Sequence, residues 1–114
     1  MTTIYGIPTC DTVRKARKWL DAHGVAHHFH DLRADGLDPA LLDGWIARFG
    51  WERVLNRASA TFRALPEGDR AGLDAPRARA LLLANPVLVK RPVLAHGESV
   101  LIGFAPAEYE ARLA

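Results

Sequence analysis

The stretch Ile4-Tyr5-Gly6-Ile7-Pro8-Thr9-Cys10-Asp11-Thr12-Val13-Arg14-Lys15-Ala16-Arg17-Lys18-Trp19-Leu20 changes its hydrophobic period part-way along, and that change decides the fold. Residues 4–7 form a short, nearly continuous apolar run that stops at Pro8, as a strand buried on both faces does. From Cys10 onward the apolar residues follow a helical stripe: Val13, Ala16 and Leu20 share a face with Trp19 beside them, while Arg14, Lys15 and Lys18 point away. Gly24 is placed to end this helix as a left-handed cap, and residues 25–32 read as a second strand. Two strands joined through a helix run parallel, with a right-handed crossover.

Beyond this opening unit, Asp35-Gly36-Leu37-Asp38-Pro39 is a loop ending in a helix start, with Asp38 as the side-chain cap and Pro39 in the first position. Leu41, Leu42, Trp45, Ile46 and Phe49 carry a helical stripe to Gly50, and a short helix through Val54 and Leu55 follows. Residues 57–72 read as loop with some helix. Asp74 and Pro76 start a further helix that stops at Asn85-Pro86. Two strands, 87–94 and 99–103, turn at His96-Gly97-Glu98 as an antiparallel hairpin, and Pro106 opens a last helix over 107–113. The order β-α-β, helices, β-β-α matches an α/β thioredoxin-like fold with a mixed sheet. The chain reads as a single domain over 1–114, with a helical insertion at about 38–84.

Composition sets the outer bounds. A chain of 114 residues, 49% hydrophobic and 25% charged, is a globular domain rather than a disordered or fibrous segment. Its apolar runs fall far short of the ~20 residues that span a bilayer. The start, Met1 to Cys10, has neither a basic n-region nor a long apolar h-region, so no signal peptide and a cytoplasmic location are expected. Fifteen basic residues against 13 acidic ones, spread over both halves, leave no basic module for nucleic acid. His23, His27, His28 and His30 suggest a metal cluster at first sight. On a strand, however, His28 and His30 share one face and His27 takes the other, so no metal site is expected. Trp19, Trp45 and Trp51 lie on or beside apolar helical stripes and read as core.

Cys10 is the single cysteine, which excludes an internal disulfide and a structural zinc site. It is either a small buried hydrophobe or a thiol that reacts with something outside the chain. Its place at a strand-to-helix junction favours the second reading. The first N–H groups of a helix have no internal acceptor, and the helix dipole puts positive charge there. A thiolate at such a point is stabilised, and thiol pKa falls below the usual ~8.5. Thr12 can donate its hydroxyl to the sulfur, Arg14 and Lys15 add positive charge, and Asp11 either opposes this or caps the helix. A helix terminus also binds anions. Arg57, Arg63, Lys90 and Arg91 are further anion ligands on offer. Arg91 stands apart because it precedes Pro92 in the strand that a thioredoxin-like sheet lays beside the first helix terminus. An arginine there can reach the sulfur and hold an oxyanion with two parallel bonds.

The run GIPTCDTVRKARKWLDAHGV, followed by VLNR and by VKRPVL and VLIGF, resembles the arsenate reductase-like (ArsC) family that also holds the Spx regulators, and most of all its small YffB-type branch. The resemblance covers essentially the whole chain. It implies a thioredoxin-like fold, a nucleophilic role for Cys10, and oxyanion binding and thiolate stabilisation by Arg91. It further implies a second such arginine from the segment of Arg57, and a cis-proline at Pro92. Substrate contacts are thus expected at Thr12, Arg57, Arg91 and Pro92, with no metal. Two positions depart from the family. The arsenate reductases carry another arginine where this chain reads Val100-Leu101-Ile102-Gly103-Phe104, and Spx proteins often have Cys-x-x-Cys where this chain has Val13. The resemblance therefore implies a thiol reductase working through a mixed disulfide on Cys10, acting on an oxidised sulfur or an oxyanion. No tightly bound cofactor is expected. The resemblance implies glutathione as the thiol co-substrate, with glutaredoxin as a relay. The alternatives are an Spx-like protein-binding module with RNA polymerase as partner, and a domain whose chemistry has been lost.

Overall fold

In the computed structural model, which describes residues 1–113, the chain runs β1 (Thr2–Gly6), α1 (Asp11–Ala22), β2 (His28–Asp31), α2 (Pro39–Phe49), α3 (Trp51–Val54), α4 (Ala60–Arg63), α5 (Glu67–Arg70), α6 (Ala75–Ala84), a 3-10 turn (Pro86–Leu88), β3 (Val93–His96), β4 (Ser99–Ile102) and α7 (Pro106–Leu113). Contacts group these elements into two units, one of residues 1–35 with 91 onward, the other of Gly36–Lys90.

The first unit holds a four-stranded mixed sheet in the order β2-β1-β3-β4. β1 pairs parallel with β2 and antiparallel with β3, and β3 forms the hairpin with β4. The register puts Phe29, Ile4, Leu94 and Leu101 in one row across all four strands, so their side chains share a face. Ala16 and Leu20 of α1 and Tyr109 of α7 close over that row, and Trp19, Val25, Phe104 and Leu113 pack at its margin. Ile4, Leu20, Leu94 and Tyr109 are fully buried. Each such large side chain contributes about 1.5–3 kcal/mol by leaving water. This is the mixed α/β, thioredoxin-like arrangement that the alternation of periods predicts.

The end of α1 shows how closely local sequence dictates local structure. Gly24 takes φ +67°, its N–H donates to the Asp21 carbonyl, and the Val25 N–H donates to the Leu20 carbonyl. These are the two bonds of a Schellman cap. Its hydrophobic partner, Val25, packs on the cluster that contains Leu20.

In the second unit the predicted caps form: the Asp38 carboxylate accepts from the Ala40 N–H at 3.2 Å, and that of Asp74 from the Arg77 N–H at 3.0 Å. Residues 57–72 contain two single-turn helices, α4 and α5, the former capped by the Ser59 hydroxyl on the Phe62 N–H. Asp43 of α2 and Arg79 of α6 form a two-bond pair at 2.6 and 3.2 Å. One expectation is corrected here. Residues 87–90 do not join the hairpin strand; they form the end of the 3-10 turn and a single bridge between Leu55 and Val89. Pro86 and Pro92 bracket this segment and have no N–H to give a ladder. Its backbone instead exchanges bonds with the end of α3, Lys90 N–H to Val54 carbonyl and Asn56 N–H to Leu88 carbonyl, both 2.8 Å. The strand at 25–32 is likewise shorter than read, because the Val25 N–H is taken by the helix cap.

Candidate functional site

Cys10 is the N-cap residue of α1, with extended backbone (φ −82°, ψ 122°) and a half-buried side chain. Its N–H reaches back to the Ile7 carbonyl at 3.3 Å, which closes the turn between β1 and α1. In an ordinary N-cap, a serine or aspartate oxygen accepts from the second and third N–H groups of the helix. Here a sulfur occupies that place. It closes no cap bond of ordinary length, yet the N–H groups of Val13 and Thr12, third and second in the helix, both act on it.

Burial pushes the Cys10 thiol up, but the opposing effects win and hold it below its ordinary value. In order of size these are the Val13 N–H, the Arg91 guanidinium as donor and then as charge, and the Thr12 N–H. Arg91 stands two residues before the start of β3, with its Nε buried, and the Arg91-Pro92 peptide bond is cis, as the resemblance implies. β3 lies beside β1 with Val93 opposite Tyr5, which brings Arg91 to the end of β1 from which Cys10 emerges.

The surroundings differ from expectation in three respects. Thr12 acts on the sulfur through its backbone N–H, where the sequence pointed to its hydroxyl. Arg14 is taken up by an ion pair with Asp11, whose carboxyl it holds below the usual range, so neither residue plays the part foreseen at Cys10. The contribution of Val13 went unread altogether, although the N-cap rule, applied to Cys10, points at the residue three positions on. Arg57 belongs to the second unit, where its guanidinium sits 5.4 Å over the Trp51 ring. Arg63, also there, donates to the Ala58 carbonyl at 2.7 Å. A surface depression of about 490 Å³ along the outer face of α1 is lined by Arg14, Lys15, Arg17, Lys18, Asp11 and Asp21.

Two histidines of the first unit pack ring against ring. His23 stacks on Trp19 at 3.8 Å, and His30 lies 5.0 Å from the Tyr5 ring. Among the described residues no three histidine, cysteine or carboxylate side chains are placed to hold a metal ion. No helix among them is long and apolar enough to cross a membrane.

A cysteine at the N-terminus of the first helix of a thioredoxin-like sheet, faced by an arginine next to a cis-proline, defines a class of thiol-bearing α/β domains. Within that class this chain belongs to the ArsC family, whose profile matches residues 5–112. A solved structure named YffB is similar over all of both chains, with 51% identity and a TM-score of 0.96. An arsenate reductase (ArsC) related protein from Brucella melitensis is 52% identical, covering 96% of this chain and 92% of that one, with a TM-score of 0.77. The global transcriptional regulator Spx of Streptococcus mutans is 30% identical over 99% of this chain and 83% of its own length.

Proposed function

We propose that this protein is a thiol reductase that uses Cys10 as its single nucleophile and glutathione as its reductant. The observation that carries the proposal is the Cys10 sulfur itself, acted on by two helix N–H groups and an arginine that together outweigh its burial. A thiolate is the nucleophilic form of cysteine, and this arrangement favours it. Cys10 attacks one sulfur of a disulfide substrate, forming a mixed disulfide on Cys10 and releasing the other half as a thiolate. Glutathione then attacks that mixed disulfide, frees Cys10 as thiolate and leaves as a disulfide with the first substrate half. A second glutathione, or glutaredoxin, reduces that product. With no second cysteine in the chain, the resolving thiol has to come from outside. Arg91 holds the anionic part of the substrate and stabilises the thiolate between turnovers, with Thr12 and Pro92 lining the same place. A cytoplasmic location follows, since the cycle needs a reducing thiol pool.

An oxyanion such as arsenate is a less suitable substrate, because the uncharged run Val100–Phe104 replaces a cationic ligand. The similarity to Spx regulators supports a second reading: a protein-binding module without catalysis, with RNA polymerase as its partner.

The rate of alkylation against pH, followed by intact mass after incubation with oxidised glutathione, separates the two. The reductase reading expects a thiol that titrates below the ordinary value, an upward shift in Arg91→Ala, and one glutathione adduct that Cys10→Ser abolishes. An ordinary titration with no adduct removes that reading and favours the binding module.

A further inference from the structure

Gly6 is the last residue of β1 and is buried. Its φ is not positive, so its backbone would accept any residue; the constraint is the space above it. A Cβ on Gly6 would stand 2.6 Å from Cγ2, 2.9 Å from Cγ1 and 3.3 Å from Cβ of Val13. Carbon atoms in contact sit about 3.5–4.0 Å apart, so roughly 1 Å of movement is required. Val13 cannot turn aside. Both its methyl groups and its branch carbon face Gly6, valine in a helix keeps one strongly preferred rotamer, and the residue is completely buried. The movement must therefore come from the backbone of the first turn of α1, relative to the end of β1.

That first turn is where Cys10 is held. We infer that Gly6 is a positioning residue for the Cys10 site: its missing side chain lets Val13 seat against β1, and that seating aims the Val13 N–H at the Cys10 sulfur. Gly6 touches neither thiol nor substrate. It acts through Val13, across the four-residue turn 7–10 that separates strand from helix. The Val13 N–H is the largest of the effects favouring the thiolate, so a displaced first turn weakens the thiolate before it weakens the fold. The inference rests on the reading of Cys10 as a reactive thiolate.

A double-mutant cycle tests it, with iodoacetamide alkylation followed against pH in the full chain. Gly6→Ala should move the titration midpoint upward and slow alkylation at neutral pH by roughly threefold to tenfold, since one unit of pKa is tenfold in thiolate fraction. In the Val13→Ala background, where the opposing methyl groups are gone, Gly6→Ala should leave midpoint and rate within about twofold of Val13→Ala alone. A general loss of stability would leave the midpoint where it was. Should Gly6→Ala fail to fold, Val13→Ile with Gly6 retained adds bulk at the same contact and should raise the midpoint in the same direction. An unmoved midpoint in the variant that folds overturns the inference, and so does an equal shift of Gly6→Ala in both backgrounds. If the wild-type thiol already titrates at the ordinary value, the thiolate reading falls and the inference with it. A low wild-type midpoint with an unmoved variant overturns the inference alone.

Discussion

Cys10 contributes to stability in a manner that depends on pH, and the sign follows from its surroundings. Its thiol is held below the ordinary value when folded, so the folded state binds that proton less tightly than the unfolded chain. The stabilisation is complete above the unfolded value, ~8.5, and disappears as pH falls through the folded value. The difference in unfolding free energy between wild type and Cys10→Ser, measured by urea titration, should therefore widen in favour of wild type as pH rises from below the folded value toward the unfolded one. A difference that stays flat contradicts a thiolate in the folded protein. Cys10 and Arg91 were legible because strand-to-helix junctions and the Arg-Pro pair are local patterns. The pairing of Arg14 with Asp11 was harder to foresee, since the nearest partner for a charge depends on rotamers as well as on spacing.

Helix ends were the best-read elements. Asp38, Asp74 and Gly24 each mark a terminus in sequence and each occupies it in structure, because capping is a bargain between residues only a few positions apart. Gly24 offers a clean measure. No atom stands within 4 Å of where its Cβ would be, so Gly24→Ala costs only the left-handed backbone of that position, about 1–2 kcal/mol. Gly24→Asn should cost less, as asparagine tolerates that conformation. Chemical denaturation of both variants checks the order; equal losses would show that crowding rather than backbone sets the cost. Strands were read less well. Residues 87–90 have the apolar, β-branched character of a strand, and their partner is one residue of the end of α3 instead of the sheet. Pairing is a long-range choice that periodicity does not encode.

Tyr109 ties α7 to the sheet of the first unit. It is fully buried, its ring meets those of Trp19 and Phe104 edge to face at 5.5 and 4.9 Å, and its hydroxyl donates to the Gly103 carbonyl at 3.4 Å. Burial, with the Glu108 charge adding to it, keeps the phenol protonated well above its usual range. Tyr109→Ala should destabilise by about 3–5 kcal/mol through the cavity it leaves, whereas Tyr109→Phe, which loses one long hydrogen bond, should cost about 1 kcal/mol or less. Equilibrium unfolding of the two variants decides this, and a large loss in Tyr109→Phe would mean that the hydroxyl carries more than its geometry suggests.

The order of elements, the helix caps and the α/β class could be read from the chain, because each rests on neighbours in sequence or on a period of 2 or 3.6 residues, whereas the pairing of Arg91 with Cys10 rests on the thioredoxin-like arrangement and the family resemblance. Three things waited for the folded molecule: the strand order β2-β1-β3-β4, the single bridge at Val89, and the dependence of the Cys10 sulfur on Val13 and, through it, on Gly6. These are matters of which surfaces meet once distant segments pack. Close packing turns a missing methyl group into a constraint about 1 Å wide, and nothing in the spacing of residues along the chain records that distance.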